Sequence, residues 1–184
     1  MRVLQRTVAA IAVCLALAGC QDDGTEPTAG SSTTGTSTDE QPTAAPAATG
    51  PAIRGDSFTL HVPEGWTYNK DFSTDFIDQY SSPTSIEQMH VTEISGEVRP
   101  LDEVAEANFE GFAPAGTKRK RLSGATVAGE PAYHLTANGG YGKFVEEFGV
   151  IKDGQQVTFG ITLTGSRADR QAVIDSVLAS WEWT

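Results

Sequence analysis

Between residues 157 and 164 the chain alternates apolar and polar side chains without a break, as Val157-Thr158-Phe159-Gly160-Ile161-Thr162-Leu163-Thr164. A period of two predicts a half-buried strand with Val157, Phe159, Ile161 and Leu163 on its core face. Asp153-Gly154 just before it reads as a hairpin turn, which makes Phe144 to Lys152 the antiparallel partner. Phe58, Leu60 and Val62 alternate in the same way, and so do Tyr133 and Leu135. Phe76 to Tyr80 and Met89 to Ile94 are predicted as further strands, and Asn138-Gly139-Gly140 as a second turn. Two segments repeat at helical spacing instead. Leu101, Val104, Ala105, Phe109 and Phe112 make one apolar stripe. Pro100 suits its first turn, Asp102 and Glu103 complement the helix dipole, and Pro114 bars continuation. The second helix is predicted from Ser166, with Asp169 three residues on as a variant capping box and Val173, Ile174, Val177, Leu178 and Trp181 as its buried stripe. Strands, helix, strands, helix predict an α+β domain on a largely antiparallel β-sheet flanked by helices. The other face of the best strand, Thr158, Gly160, Thr162 and Thr164, suits a closely packed helix or the floor of a shallow groove.

The first twenty residues follow a different pattern. Arg2 and Arg6 precede an apolar run from Val8 to Ala18, too short to span a bilayer, which takes about 20 apolar residues. A basic start, an apolar stretch and small residues before a cleavage point make a secretory signal peptide. Leu17-Ala18-Gly19-Cys20 resembles the lipobox of bacterial lipoproteins. That resemblance implies a leader at 1–19, cleavage before Cys20 and acylation of its thiol; plain secretion with Cys20 incidental is the alternative. Cys14 lies inside the leader, so no disulfide, thiol nucleophile or cysteine metal site is expected in the mature chain. Two acyl chains, at about 0.8 kcal/mol per buried methylene, anchor stably where one binds reversibly. The expected location is the outer face of the cytoplasmic membrane.

From Gln21 to Ala52 the composition turns to Thr, Ala, Pro, Gly and Ser, with no aromatic residue and no Leu, Ile, Val or Met. Such a segment cannot bury enough apolar surface to offset its ordering entropy, and residues 20–52 are expected to be a disordered tether. As a flexible coil it spans about 30 Å, with a stretched limit of roughly 110 Å. Residues 53–184 hold all the aromatic side chains, enough for one domain with one core. Removing Arg2 and Arg6 with the leader leaves a formal charge of about −13 on the mature chain. Charge and location both argue against a nucleic-acid partner, and an acidic domain is repelled by an anionic bilayer at close range.

Phe58-Thr59-Leu60-His61-Val62-Pro63-Glu64-Gly65-Trp66 is similar to the strand and "P-x-G-W" opening of the PsbP-like superfamily. Val127-Ala128-Gly129-Glu130-Pro131-Ala132 and the closing Ser180-Trp181-Glu182-Trp183-Thr184 are similar to its middle and its end. With the lipobox and the Thr-rich tether, the chain resembles the LpqN-type lipoproteins of actinobacteria. The resemblance implies a sheet flanked by helices, as an α/β/α sandwich, in a superfamily whose members mostly bind partners rather than catalyse. It supplies no catalytic residues.

The residues themselves offer little chemistry. His61, His90 and His134 stand in no metal-ligand spacing and read as solvated strand residues. Adjacent acids such as Glu146 and Glu147 point to opposite faces of a strand, so they form no acid/base couple. No nucleophile elbow occurs, and no catalytic residue, cofactor or metal is expected. Gly139-Gly140-Tyr141-Gly142 reads as a hairpin loop. Lys118, Arg119, Lys120 and Arg121 stand out against the acidic background. They read as a charged edge strand that resists pairing, or as a docking patch for an acidic partner, a phosphorylated glycolipid or lipid headgroups. The function expected is a non-catalytic, membrane-anchored binding or adaptor module in cell-envelope assembly or transport, with an envelope protein as partner. The alternative is a carrier of an apolar or glycolipid ligand.

Overall fold

The computed structural model describes residues 45–96 and 99–184; Cys20 and most of the expected tether lie outside them. The elements in order are β1 (Ala52–Arg54), β2 (Phe58–His61), β3 (Thr67–Tyr68), β4 (Ile77–Ser81), β5 (Gln88–Ser95), α1 (Leu101–Phe109), β6 (Arg119–Val127), β7 (Glu130–Gly140), β8 (Lys143–Lys152), β9 (Gln155–Leu163), α2 (Arg167–Ala179) and β10 (Glu182–Trp183). Seven strands form one antiparallel sheet in the order β3-β4-β5-β9-β8-β7-β6, and β1-β2-β10 form a small second sheet. The expected α+β class and antiparallel sheet are what the chain adopts. Among the described residues no helix is long and apolar enough to cross a membrane.

Alternation sorts the large sheet into two faces. Val157, Phe159, Ile161 and Leu163 of β9 pack with Phe148 and Val150 of β8 and Met89 and Val91 of β5. Over them lie Ile174 and Val177 of α2, together with Phe58, Leu60 and Trp181. That outer layer is therefore half helix and half small sheet. The opposite face carries a smaller core, in which Val104 and Ala105 of α1 cover Tyr133 and Leu135 of β7. Here α1 sits mainly over β7 and β8 rather than over the small, polar face of β9. A groove opens beside Thr158 instead.

Three consecutive hairpins build β6 to β9, each turning on a pair of residues with positive φ: Ala128-Gly129, Tyr141-Gly142 and Asp153-Gly154. These are the φ signs of the type I′ turn, whose twist matches that of the strands it joins. The second turn corrects the expectation at Asn138-Gly139-Gly140. Those residues belong to β7, where Asn138 Oδ1 accepts from the Gly140 N–H across a register shift. Pro100 caps α1 rather than entering its first turn, and the helix ends at Phe109, before Pro114 is reached. Ser166 caps α2, accepting from the Asp169 N–H as expected. The folded unit also begins before the expected boundary at residue 53. Ala48 N–H donates to Ser176 O at 2.8 Å, Val62 N–H donates to Pro51 O, and Ala52 pairs with His61.

Candidate functional site: a basic groove beside the second helix

The strand period divides the basic run. Arg119 and Arg121 point to the α1 side. There Arg119 Nη1 meets Glu110 at 3.3 Å, its Nη2 donates to Ala113 O at 2.7 Å, and Arg121 pairs with Asp102. Both arginines tie α1 and its exit loop to the edge strand. Lys118 and Lys120 face the α2 side, and neither meets a carboxylate among the described residues.

On that side the first turn of α2 brings up Arg167 and Arg170, whose spacing of three puts them on one helix face. Together with Leu122 and Phe144 the four cations line an open groove of about 430 Å³. Arg170 is fixed in place, with its guanidinium 3.5 Å from the centroid of the Phe144 ring and its Nη1 donating to Gly165 O at 2.6 Å. The acid on the groove lining is Glu146, and it is engaged by His134 Nε2 at 2.6 Å. His134 in turn stacks on Phe148 with centroids 4.1 Å apart. The expectation of solvated histidines is corrected here: this ring is largely covered, and His61 Nδ1 is bonded to Gly50 O. His90 and His134 lie on opposite faces of the sheet, and His61 lies on the small one, so the three do not converge.

The α1 face holds a second polar group. Glu147 is 6 % exposed, and its Oε1 accepts from the Tyr133 hydroxyl at 2.9 Å and from Asn108 Nδ2 at 3.2 Å. Burial pushes the Glu147 carboxyl above its ordinary value, against the pull of those hydrogen bonds. Burial and the neighbouring Glu147 charge likewise raise the Tyr133 phenol. His90 half-covers Gly160 in the same cross-strand row, and burial lowers its pKa. Two donors on one carboxylate oxygen serve packing under α1. Among the described residues no serine hydroxyl is bonded to a histidine ring.

The solved structures place this architecture. Cyanobacterial PsbP (CyanoP) from Synechocystis aligns over 73 % of this chain and 92 % of its own, at 13 % identity and a TM-score of 0.51. The fold is PsbP-like. The Ran-binding protein Mog1p of Saccharomyces cerevisiae aligns over 74 % of this chain and 96 % of its own, at 11 % identity and a TM-score of 0.49. No family model and no curated protein matches the sequence.

Arg167 and Arg170 escaped the reading of the sequence, and Glu147 is legible there only as an acid facing away from Glu146. Helical spacing marks Arg167 and Arg170 as neighbours of each other. Nothing local says which strands they face, since that depends on how α2 lies across the sheet. Cys20 lies outside the described residues.

Proposed function

We propose that this protein is a lipid-anchored, non-catalytic binding module of the cell envelope, one of the LpqN-type lipoproteins of actinobacteria. Cys20 holds it on the outer face of the cytoplasmic membrane, and it serves there as an adaptor in envelope assembly or transport. The observation that carries this reading is the convergence of Lys118, Lys120, Arg167 and Arg170 on one groove of a chain with net charge −11. Concentrating positive potential in one concave place steers an acidic partner to it and repels it elsewhere. The PsbP-like fold and the lipobox support the same reading. A carrier of a phosphorylated glycolipid is the second reading, favoured by Leu122 and Phe144, which put apolar walls beside the cations.

Cross-linking of the lipidated protein in its own cells, followed by mass spectrometry, is expected to recover one dominant envelope protein attached at the groove. The yield should fall in a Lys118→Glu/Lys120→Glu variant. Cross-links distributed evenly over the surface would sink the adaptor reading, and a recurring lipid without a protein would favour the carrier. For the anchor, wild-type protein is expected to incorporate a palmitate analogue and Cys20→Ala to lose the label. Equal labelling of both would refute acylation at Cys20.

A further inference from the structure

We infer that the groove beside α2 recognises a phosphoryl group carrying two negative charges, a phosphomonoester or a diphosphate. The inference rests on the groove being the working surface and names what it binds. Lys118, just before β6, and Lys120 within it are two residues apart on one side of the sheet, about 7 Å along the chain, and both enter from the sheet side. Arg167 and Arg170 enter from the helix side. Four cations facing one another, with Glu146 as the one acid on the lining, repel, and a multivalent anion between them relieves this best. A single carboxylate occupies one guanidinium fork, whereas a phosphoryl group has oxygens enough for a fork and for ammonium groups approaching from another side.

The details favour such an occupant over a loose patch of charge. Arg170 is held against Phe144 and tied to Gly165 O, so little of its freedom remains to be lost on binding. The Glu146 carboxylate, which would repel an anion, is turned into a bond with His134. Asp169, in the same turn of α2 as the arginines, accepts from the Ser166 hydroxyl at 2.6 Å. A volume of about 430 Å³ falls in the range of small-ligand sites. Arg119 and Arg121, equal in charge and adjacent in sequence, are already paired on the other face and form an internal control.

The test is calorimetric titration of the full lipidated protein in detergent with pyrophosphate, at physiological salt, with amide spectra locating the site. Saturable one-to-one binding is expected, with shifts at Lys118, Lys120, Arg167 and Arg170. Arg170→Gln and the double variant Lys118→Gln/Lys120→Gln should each weaken it about tenfold or more, the loss of one charge-assisted contact or two. Arg119→Gln/Arg121→Gln should stay within about twofold of wild type. Absence of saturable binding, or equal weakening by the two double variants, overturns the inference. Glucose 1-phosphate and dihexanoyl phosphatidic acid then separate the sources. Tighter binding of the second assigns a lipid headgroup, and equal binding assigns a free phosphate ester. If pyrophosphate fails while cross-links in cells still map to the groove, the phosphoryl inference falls and the adaptor reading stands.

Discussion

Glu147 is where single-residue chemistry shapes this domain most. Its folded-state pKa is raised above the ordinary 4.5 because burial penalises the charged form more than Tyr133 and Asn108 compensate. The sign follows from proton linkage: the native state holds this proton more tightly than the unfolded chain. Its contribution to stability is therefore present below pH 4.5 and lost as pH rises through the folded pKa. Glu147→Gln keeps an acceptor for both donors and removes the charge. The variant is expected to melt above wild type at pH 7, with the gap closing as pH falls towards 4.5. A gap that does not change with pH would show that the charge is not the cause. Two glycines complete the residue-scale picture. A Cβ on Gly149 would come within 2.1 Å of the Tyr133 ring, and one on Gly160 within 2.2 Å of His90. Both positions are empty so that a ring from the next strand can lie flat. A sequence marks such a glycine only as a weak place in a strand.

At the scale of elements, the three hairpins between β6 and β9 organise most of the sheet. Asp153-Gly154 is a residue pair that favours positive φ at both positions, and it was legible as a turn. Gly139-Gly140-Tyr141-Gly142 was legible as a hairpin loop too, but the turning pair within it was not, because a tyrosine at φ 50 is a costly choice and Asn138-Gly139-Gly140 offered a stronger local signal nearby. Tyr141 is fully exposed, so no packing in the domain holds it there. Tyr141→Asn is expected to stabilise the domain by about 1 kcal/mol, the cost of placing an ordinary side chain in the left-handed region. Urea unfolding measures this, and an unchanged midpoint would mean that the turn relaxes in solution. The same strand period split Lys118–Arg121 between two faces. As β6 closes one end of the seven-stranded order, its charges also guard an open edge. Guarding an edge and lining a groove are compatible on one strand, since alternate residues do each.

At the scale of the whole domain, the decisive contact joins its opening and closing segments. Trp181 follows α2, stacks on Phe58 of β2 with centroids 5.0 Å apart, and meets Phe159 of β9 edge-on at 6.4 Å. It thereby joins the small sheet, α2 and the large sheet in one core. Trp181→Ala is expected to cost about 3–5 kcal/mol, a large share of the 5–15 kcal/mol available to an ordinary domain. Equilibrium denaturation measures it, and a loss below about 1 kcal/mol would mean that the layers hold without this residue. Periodicity, turn residues and caps by themselves determined β2, β4, β5 and β6 to β9 in outline, both helices, and the α+β class, because these depend on neighbours within a few positions. The tertiary structure decided the rest. It placed α1 over β7 and β8, drew residues 48–52 into the domain, paired the last strand with β2, and set Arg167 and Arg170 opposite Lys118 and Lys120. Most of these join residues tens of positions apart, and their meeting depends on how whole layers pack, which no local pattern of side chains encodes.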